Sequence, residues 1–148
     1  MVLKLFKGVW FISLCAVVVN LMYIYASLPE VVQFEQTNDG VEVSRSGLFY
    51  GVLVAIAMVN MLSFVVKKVY SDKEDFNTWL FGLIILLNAF FIVSVSYIGL
   101  YNSGERFEYD RLGPMIFGSL ILTILWIAAW PSYVLWKKVT GKAIVSTE

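Results

Sequence analysis

Histidine is missing from all 148 residues. Its absence removes bis-histidine haem ligation, imidazole-bound zinc or copper, and histidine proton transfer within this chain. Cys15 is the one cysteine, so no disulfide can close inside the chain. Charge is scarce as well: Asp, Glu, Lys and Arg make up 15% of the residues, against about 25% in soluble domains. Neighbouring lysines come in pairs at most, which argues against nucleic acid as a partner. There is no glycine-rich phosphate loop, no nucleophile–base pair and no metal-ligand cluster. The expectation is a protein that is not an enzyme and carries no cofactor or metal.

What the chain has in abundance is apolar surface. Hydrophobic residues reach 59% and the mean hydropathy is +0.78, well above the roughly 45–50% apolar usage of soluble domains. Four apolar stretches stand out, at residues 8–27, 47–66, 78–101 and 112–136. Each is long enough to cross about 30 Å of hydrocarbon as a helix. The first is too long for a signal-peptide core, and Tyr23-Ile24-Tyr25-Ala26 is a poor cleavage site, so it is read as a retained span. The expected fold is all-α: a four-helix transmembrane bundle forming one membrane domain, with short loops.

The charges sort by side once these spans are drawn. Lys4, Lys7, Lys67, Lys68, Lys73, Lys137, Lys138 and Lys142 fall on one side, and Arg45, Arg106 and Arg111 on the other. Glu30, Glu35, Asp39, Glu42, Glu105, Glu108 and Asp110 accompany the arginines; Asp72, Glu74, Asp75 and Glu148 accompany the lysines. By the positive-inside rule both termini are expected in the cytoplasm. Trp10, Trp79, Trp130, Tyr133 and Trp136 mark the inner interface, and Tyr23, Tyr25, Tyr50, Tyr97 and Tyr101 the outer one.

Within the spans there is no Asp, Glu, Lys or Arg. Such groups mark ion paths, proton relays and voltage sensors, so a proton-coupled transporter or pump is disfavoured. The polar residues that remain include Asn20, Asn60 and Asn88, one in each of the first three spans. Counting from the inner boundary at about 1.5 Å per residue puts Asn20 and Asn88 at similar depth, with Asn60 about 6 Å nearer the cytoplasm. They are read as interhelical hydrogen-bonding groups, or alternatively as polar contacts for a quinone carbonyl or lipid headgroup.

Small residues form ridges that let helix backbones approach closely. Gly47, Gly51 and Ala55 make one on the second span. Gly82, Ala89 and Ser96 recur every seven residues on the third, and Ser13, Ala16 and Asn20 lie along the first. Packing within the bundle is one use of them; docking onto a partner is the other, and that needs a ridge left facing lipid. Pro131 removes a backbone hydrogen bond to Ile127 and is expected to kink the fourth span. Gly113-Pro114 sits at that span's first turn, where proline is tolerated.

The first outer loop holds Asn38-Asp39-Gly40 as a turn signal between Val31-Val32-Gln33-Phe34 and Val41-Glu42-Val43-Ser44. A small hairpin is expected there. Glu30, Glu35 and Glu42 are its candidate recognition residues for a toxin or solute.

One stretch has a family likeness. Tyr25-Ala26-Ser27-Leu28-Pro29-Glu30 at the end of the first span is followed by a valine, Phe34, Gly40 and a polar run into the next span. This resembles the loop of the domain-of-unknown-function 1648 family, small bacterial membrane proteins that include relatives of the immunity protein against a sporulation-delaying toxin. That loop typically reads Leu-Pro, a Val-Pro pair, His-Phe, a glycine and a downstream lysine. Leu28-Pro29 and Gly40 match; Gln33 replaces the second proline, the histidine is missing, and Arg45 is the one counterpart of the lysine. The resemblance covers the first outer loop only, implies a bacterial inner membrane, and transfers no functional residue.

Three functional expectations follow. The first is a non-catalytic inner-membrane protein, an accessory or scaffold subunit whose partners are the lipid bilayer and other membrane protein subunits. The second is an immunity- or transport-related protein acting through the acidic outer loop. The third is a lipid- or quinone-contacting subunit.

Overall fold

The computed structural model describes residues 2–34, 42–69, 74–104 and 113–145. Each expected span is a helix: α1 is Val2–Ser27, α2 Arg45–Val69, α3 Glu74–Tyr101 and α4 Gly113–Val145. All four are long and apolar enough to cross a membrane. They overrun the apolar stretches, mostly at the lysine ends. Lysine stems lie along helix surface while their ammonium groups reach water, so a helix need not stop where charge begins.

Local chemistry sets the ends. The Ser27 hydroxyl and the Leu28 amide both donate to the Ile24 carbonyl, at 2.9 and 3.0 Å, which closes α1. Pro29 then cannot continue the helix. Glu74 and Asp75 occupy the first turn of α3, where the helix dipole favours negative charge. Pro114 falls in the first turn of α4, and the helix runs on through Pro131.

α3 is the hub. It packs against α1 along much of its length and also against α2 and α4, whereas α4 is seated chiefly on α3. Two glycines permit these approaches. A Cβ at Gly82 would collide with the Trp126 ring, and one at Gly99 would meet Ile24 Cγ2 at 2.8 Å. Val17, Leu21, Ile24, Ile56 and Val95 form the buried centre between α1, α2 and α3. Large apolar side chains elsewhere stay exposed, including Val54, Met58 and Phe64 on α2 and Phe117, Ile121 and Leu125 on α4. Water would penalise such a surface heavily; lipid does not.

The expected hairpin forms. Strands β1 (Val31–Gln33) and β2 (Glu42–Ser44) pair antiparallel with Val32 opposite Val43. The turn at 38–40 lies outside the described residues. Alternation along β1 turns Val32 inward, where it is fully buried with Leu28 and Ile24 in the core cluster. The hairpin is therefore a plug on the arginine end of the bundle. Arg45 fastens it: its amide donates to the Glu30 carbonyl at 2.9 Å, its guanidinium donates to the Leu28 carbonyl at 3.2 Å, and that guanidinium lies over the Tyr25 ring. Asn102 ties the other side, accepting from the Gln33 amide at 2.9 Å and donating to the Gln33 carbonyl at 3.1 Å.

Candidate functional site

The polar residues inside the spans gather into a seam between α1, α2 and α3. Asn88 is fully buried and Asn60 nearly so. The Asn60 amide donates to Asn88 Oδ1 at 2.9 Å, and the Asn88 amide donates back to Asn60 Oδ1 at 3.2 Å. The second N–H of each is also used: Asn60 donates to the Ile56 carbonyl at 2.8 Å and Asn88 to Ser13 Oγ at 3.0 Å. Trp10 Nε1 completes the set by donating to Asn60 Oδ1 at 2.8 Å. In a medium without water an unmatched amide is expensive. Here all four amide hydrogens have protein acceptors, so the seam has no donor left for a ligand.

Asn20 sits apart from this pair. It donates to the Ile92 carbonyl at 3.3 Å and accepts from Ser96 Oγ at 3.2 Å, cross-linking α1 to α3. The depth order counted from the sequence is therefore corrected. Asn60 and Asn88 share one level, and Asn20 lies nearer the arginine end by about one helical turn, the Asn88-to-Ile92 spacing. The count failed because it assumed a common inner boundary, whereas α2 ends at Val69 and α3 begins at Glu74 with Asn60 and Asn88 in contact, so the two helices are staggered at the lysine end.

The small residues divide. Gly82 lies under the Trp126 indole, and Ala55 is half-buried, but Gly51 and Ala89 are exposed. The seven-residue ridge on α3 thus does not serve one neighbour: Gly82 meets α4, Ser96 meets α1, and Ala89 between them faces outward. A straight helix drifts about 20° per heptad, enough to carry the stripe from one neighbour to the next.

The outer-loop acids do not converge. Glu30 and Glu42 are exposed, and Glu42 accepts from Gln33 Nε2 at 3.2 Å across the strands. Glu35 lies outside the described residues.

A second cluster gathers at the lysine end between α3 and α4. Trp79 Nε1 donates to the Trp126 carbonyl at 2.8 Å, and Trp126 Nε1 donates to the Trp79 carbonyl at 2.9 Å. This reciprocal pair locks α4 onto α3. Beyond it Phe76, Trp79, Trp130 and Tyr133 pack ring against ring, at 5.0–5.9 Å between centroids. The Tyr133 hydroxyl donates to Asp75 Oδ2 at 3.0 Å, and Lys137 Nζ stands 3.6 Å from the same oxygen. Trp79, Trp130 and Tyr133 belong to the belt expected at the inner interface, whereas Trp126 does not. No family model, no curated protein and no solved structure matches this chain.

Proposed function

We propose that this protein is a non-catalytic accessory or scaffold subunit of a larger membrane assembly. Its lysine-rich side, with both termini, faces the cytoplasm of a bacterial inner membrane. The charge segregation supports the orientation, and the family likeness of the first outer loop supports the membrane. The observation that carries the subunit reading is the outward face of α2. Gly47 and Gly51 are exposed, in line with exposed Val54, Met58 and Met61. A Cβ at Gly51 would meet no atom within 4 Å among the described residues. Ser44 Oγ covers Gly47, so the open position is Gly51, and a small residue on a lipid-facing surface suits a second transmembrane helix, which gains close backbone contact there. The buried amides, by contrast, are matched within the chain and serve to hold it together.

The test is native mass measurement after gentle detergent extraction. Wild type should run with a stoichiometric partner, and Gly51→Leu should release a monomer of unchanged helicity. Recovery of wild type only as a free monomer removes the reading. So does a partner that Gly51→Leu leaves bound.

A further inference from the structure

Because α4 is seated on α3 and reaches α1 at the Phe6–Trp126 stack, a cleft opens on α3 between the two. A hollow of about 540 Å³ walled by α3 and α4 alone adjoins it at the lysine end, and two more, of about 490 and 260 Å³, follow the cleft inward. The first two share Glu74, Asp75, Trp130 and Tyr133, and Trp126 walls both the second and the third. From Asp75 to Leu86 the cleft follows α3 for about 17 Å at 1.5 Å per residue. That is half of a roughly 30 Å hydrocarbon core. A spanning partner helix needs the whole thickness; a lipid in one leaflet needs half.

The lining is graded as a lipid is. Leu5, Val9, Ile85 and Leu86 wall the deep end. Trp126 and Ala129 line the middle, and the mouth carries Glu74 and Asp75 beside Lys137 and Lys138. Side chains at the mouth remain open to a headgroup: Lys137 is 70% exposed and Asp75 60%. A carboxylate offers about four acceptor positions, so Asp75 can take a further donor beyond Tyr133 and Lys137.

We infer that this cleft binds one phospholipid with a zwitterionic, primary-ammonium headgroup, the phosphatidylethanolamine type. The ammonium donates to Glu74 and Asp75, the phosphate meets Lys137 and Lys138, and an acyl chain lies along Trp126 toward Leu86. An anionic headgroup without an amine would bring negative charge against the two acids with nothing to donate to them as an ammonium does. A choline headgroup has no N–H for them. This inference stands independently of the subunit reading, since the cleft lies between α1 and α4 rather than on the outward face of α2.

The full chain, delipidated in mild detergent, is incubated with equal amounts of dioleoyl phosphatidylethanolamine, phosphatidylcholine and phosphatidylglycerol and read by native mass spectrometry. A one-to-one ethanolamine adduct should dominate by about tenfold, equivalent to about 1.4 kcal/mol. Glu74→Gln with Asp75→Asn should bring ethanolamine and choline adducts to parity. Ala129→Phe, on the exposed cleft wall, should abolish all three adducts with circular dichroism unchanged. Equal adducts of the three lipids on wild type overturn the inference, as does a preference for phosphatidylglycerol. An ethanolamine preference that survives the double substitution overturns it too, and so does a photocrosslinker at position 129 that captures protein rather than lipid.

Discussion

Asn60 and Asn88 face each other across the α2–α3 interface with each side-chain amide donating to the other's carbonyl oxygen. Replacing Asn88 leaves one Asn60 N–H without its acceptor, in a medium that cannot supply another, while Trp10 still donates to Asn60 Oδ1. Asn88→Leu should therefore destabilise the fold by about 1–3 kcal/mol. A double-mutant cycle with Asn60→Leu should return a coupling of about 0.6–1.7 kcal/mol. The readout is unfolding in mixed micelles. Zero coupling would show that the two amides act separately.

Gly82 and Gly99 both allow close helix approach, yet their substitution should differ in effect. An added methyl at Gly82 strikes the Trp126 ring, which is held by its Nε1 hydrogen bond to the Trp79 carbonyl and by stacking on Phe6. At Gly99 the obstacle is the Ile24 side chain, which no hydrogen bond holds in place and which the added methyl approaches less closely. Gly82→Ala should cost about 1–3 kcal/mol through overpacking and should shift the tryptophan emission; Gly99→Ala should cost less. Gly8, whose added Cβ would meet no atom within 4 Å among the described residues, is the control. Equal losses at 82 and 99 would mean that Trp126 is not the obstacle.

Why Trp126 escaped a sequence reading follows from the solvent. In water a helix declares its buried face through apolar periodicity. In lipid both faces are apolar, so the stripe that marks the neighbour is erased, and nothing in α4 indicates which side meets α3. The spans themselves were legible, because uninterrupted length is the signal and charge ends it. The hairpin was legible too, since Asn38-Asp39-Gly40 divides two short alternating runs, and the observed pairing of Val32 with Val43 follows that division. Asn60 and Asn88 were visible as polar residues that need partners. Their shared level was not, because it depends on how far α2 and α3 are staggered along each other, which neither span's own sequence records. Trp10 and Trp79 were legible as interface residues, but not that each donates its indole N–H to another helix.

Asn102 holds both backbone polar groups of Gln33 across a separation of 69 residues. Asn102→Ala should free the outer edge of the hairpin without disturbing the spans, since Val32 remains packed in the core cluster. Amide exchange at Gln33 should quicken by about fivefold to tenfold, as expected for loss of about 1 kcal/mol of local hydrogen bonding. Exchange at Val17 and Val95 should not change. Acceleration throughout α1 would instead mean that the plug stabilises the whole bundle.

The orientation rests on eight lysines opposing three arginines, and two engineered cysteines can test it directly. Ser44 lies on the exposed side of β2, next to Arg45, and Lys138 is exposed at the other end of the bundle. Cys15 is itself exposed on α1, so the background must carry Cys15→Ser. In intact cells a membrane-impermeant maleimide should modify Ser44→Cys and spare Lys138→Cys; after permeabilisation both should react. Lysines are retained on the cytoplasmic side during insertion more strongly than acids are excluded from it. Replacing Lys67, Lys68, Lys137 and Lys138 together with glutamine should therefore weaken the bias and produce a mixed labelling pattern. Labelling of Lys138→Cys from outside in the otherwise native chain would invert the topology. The hairpin plug would then lie in the cytoplasm, out of reach of any extracellular toxin or solute.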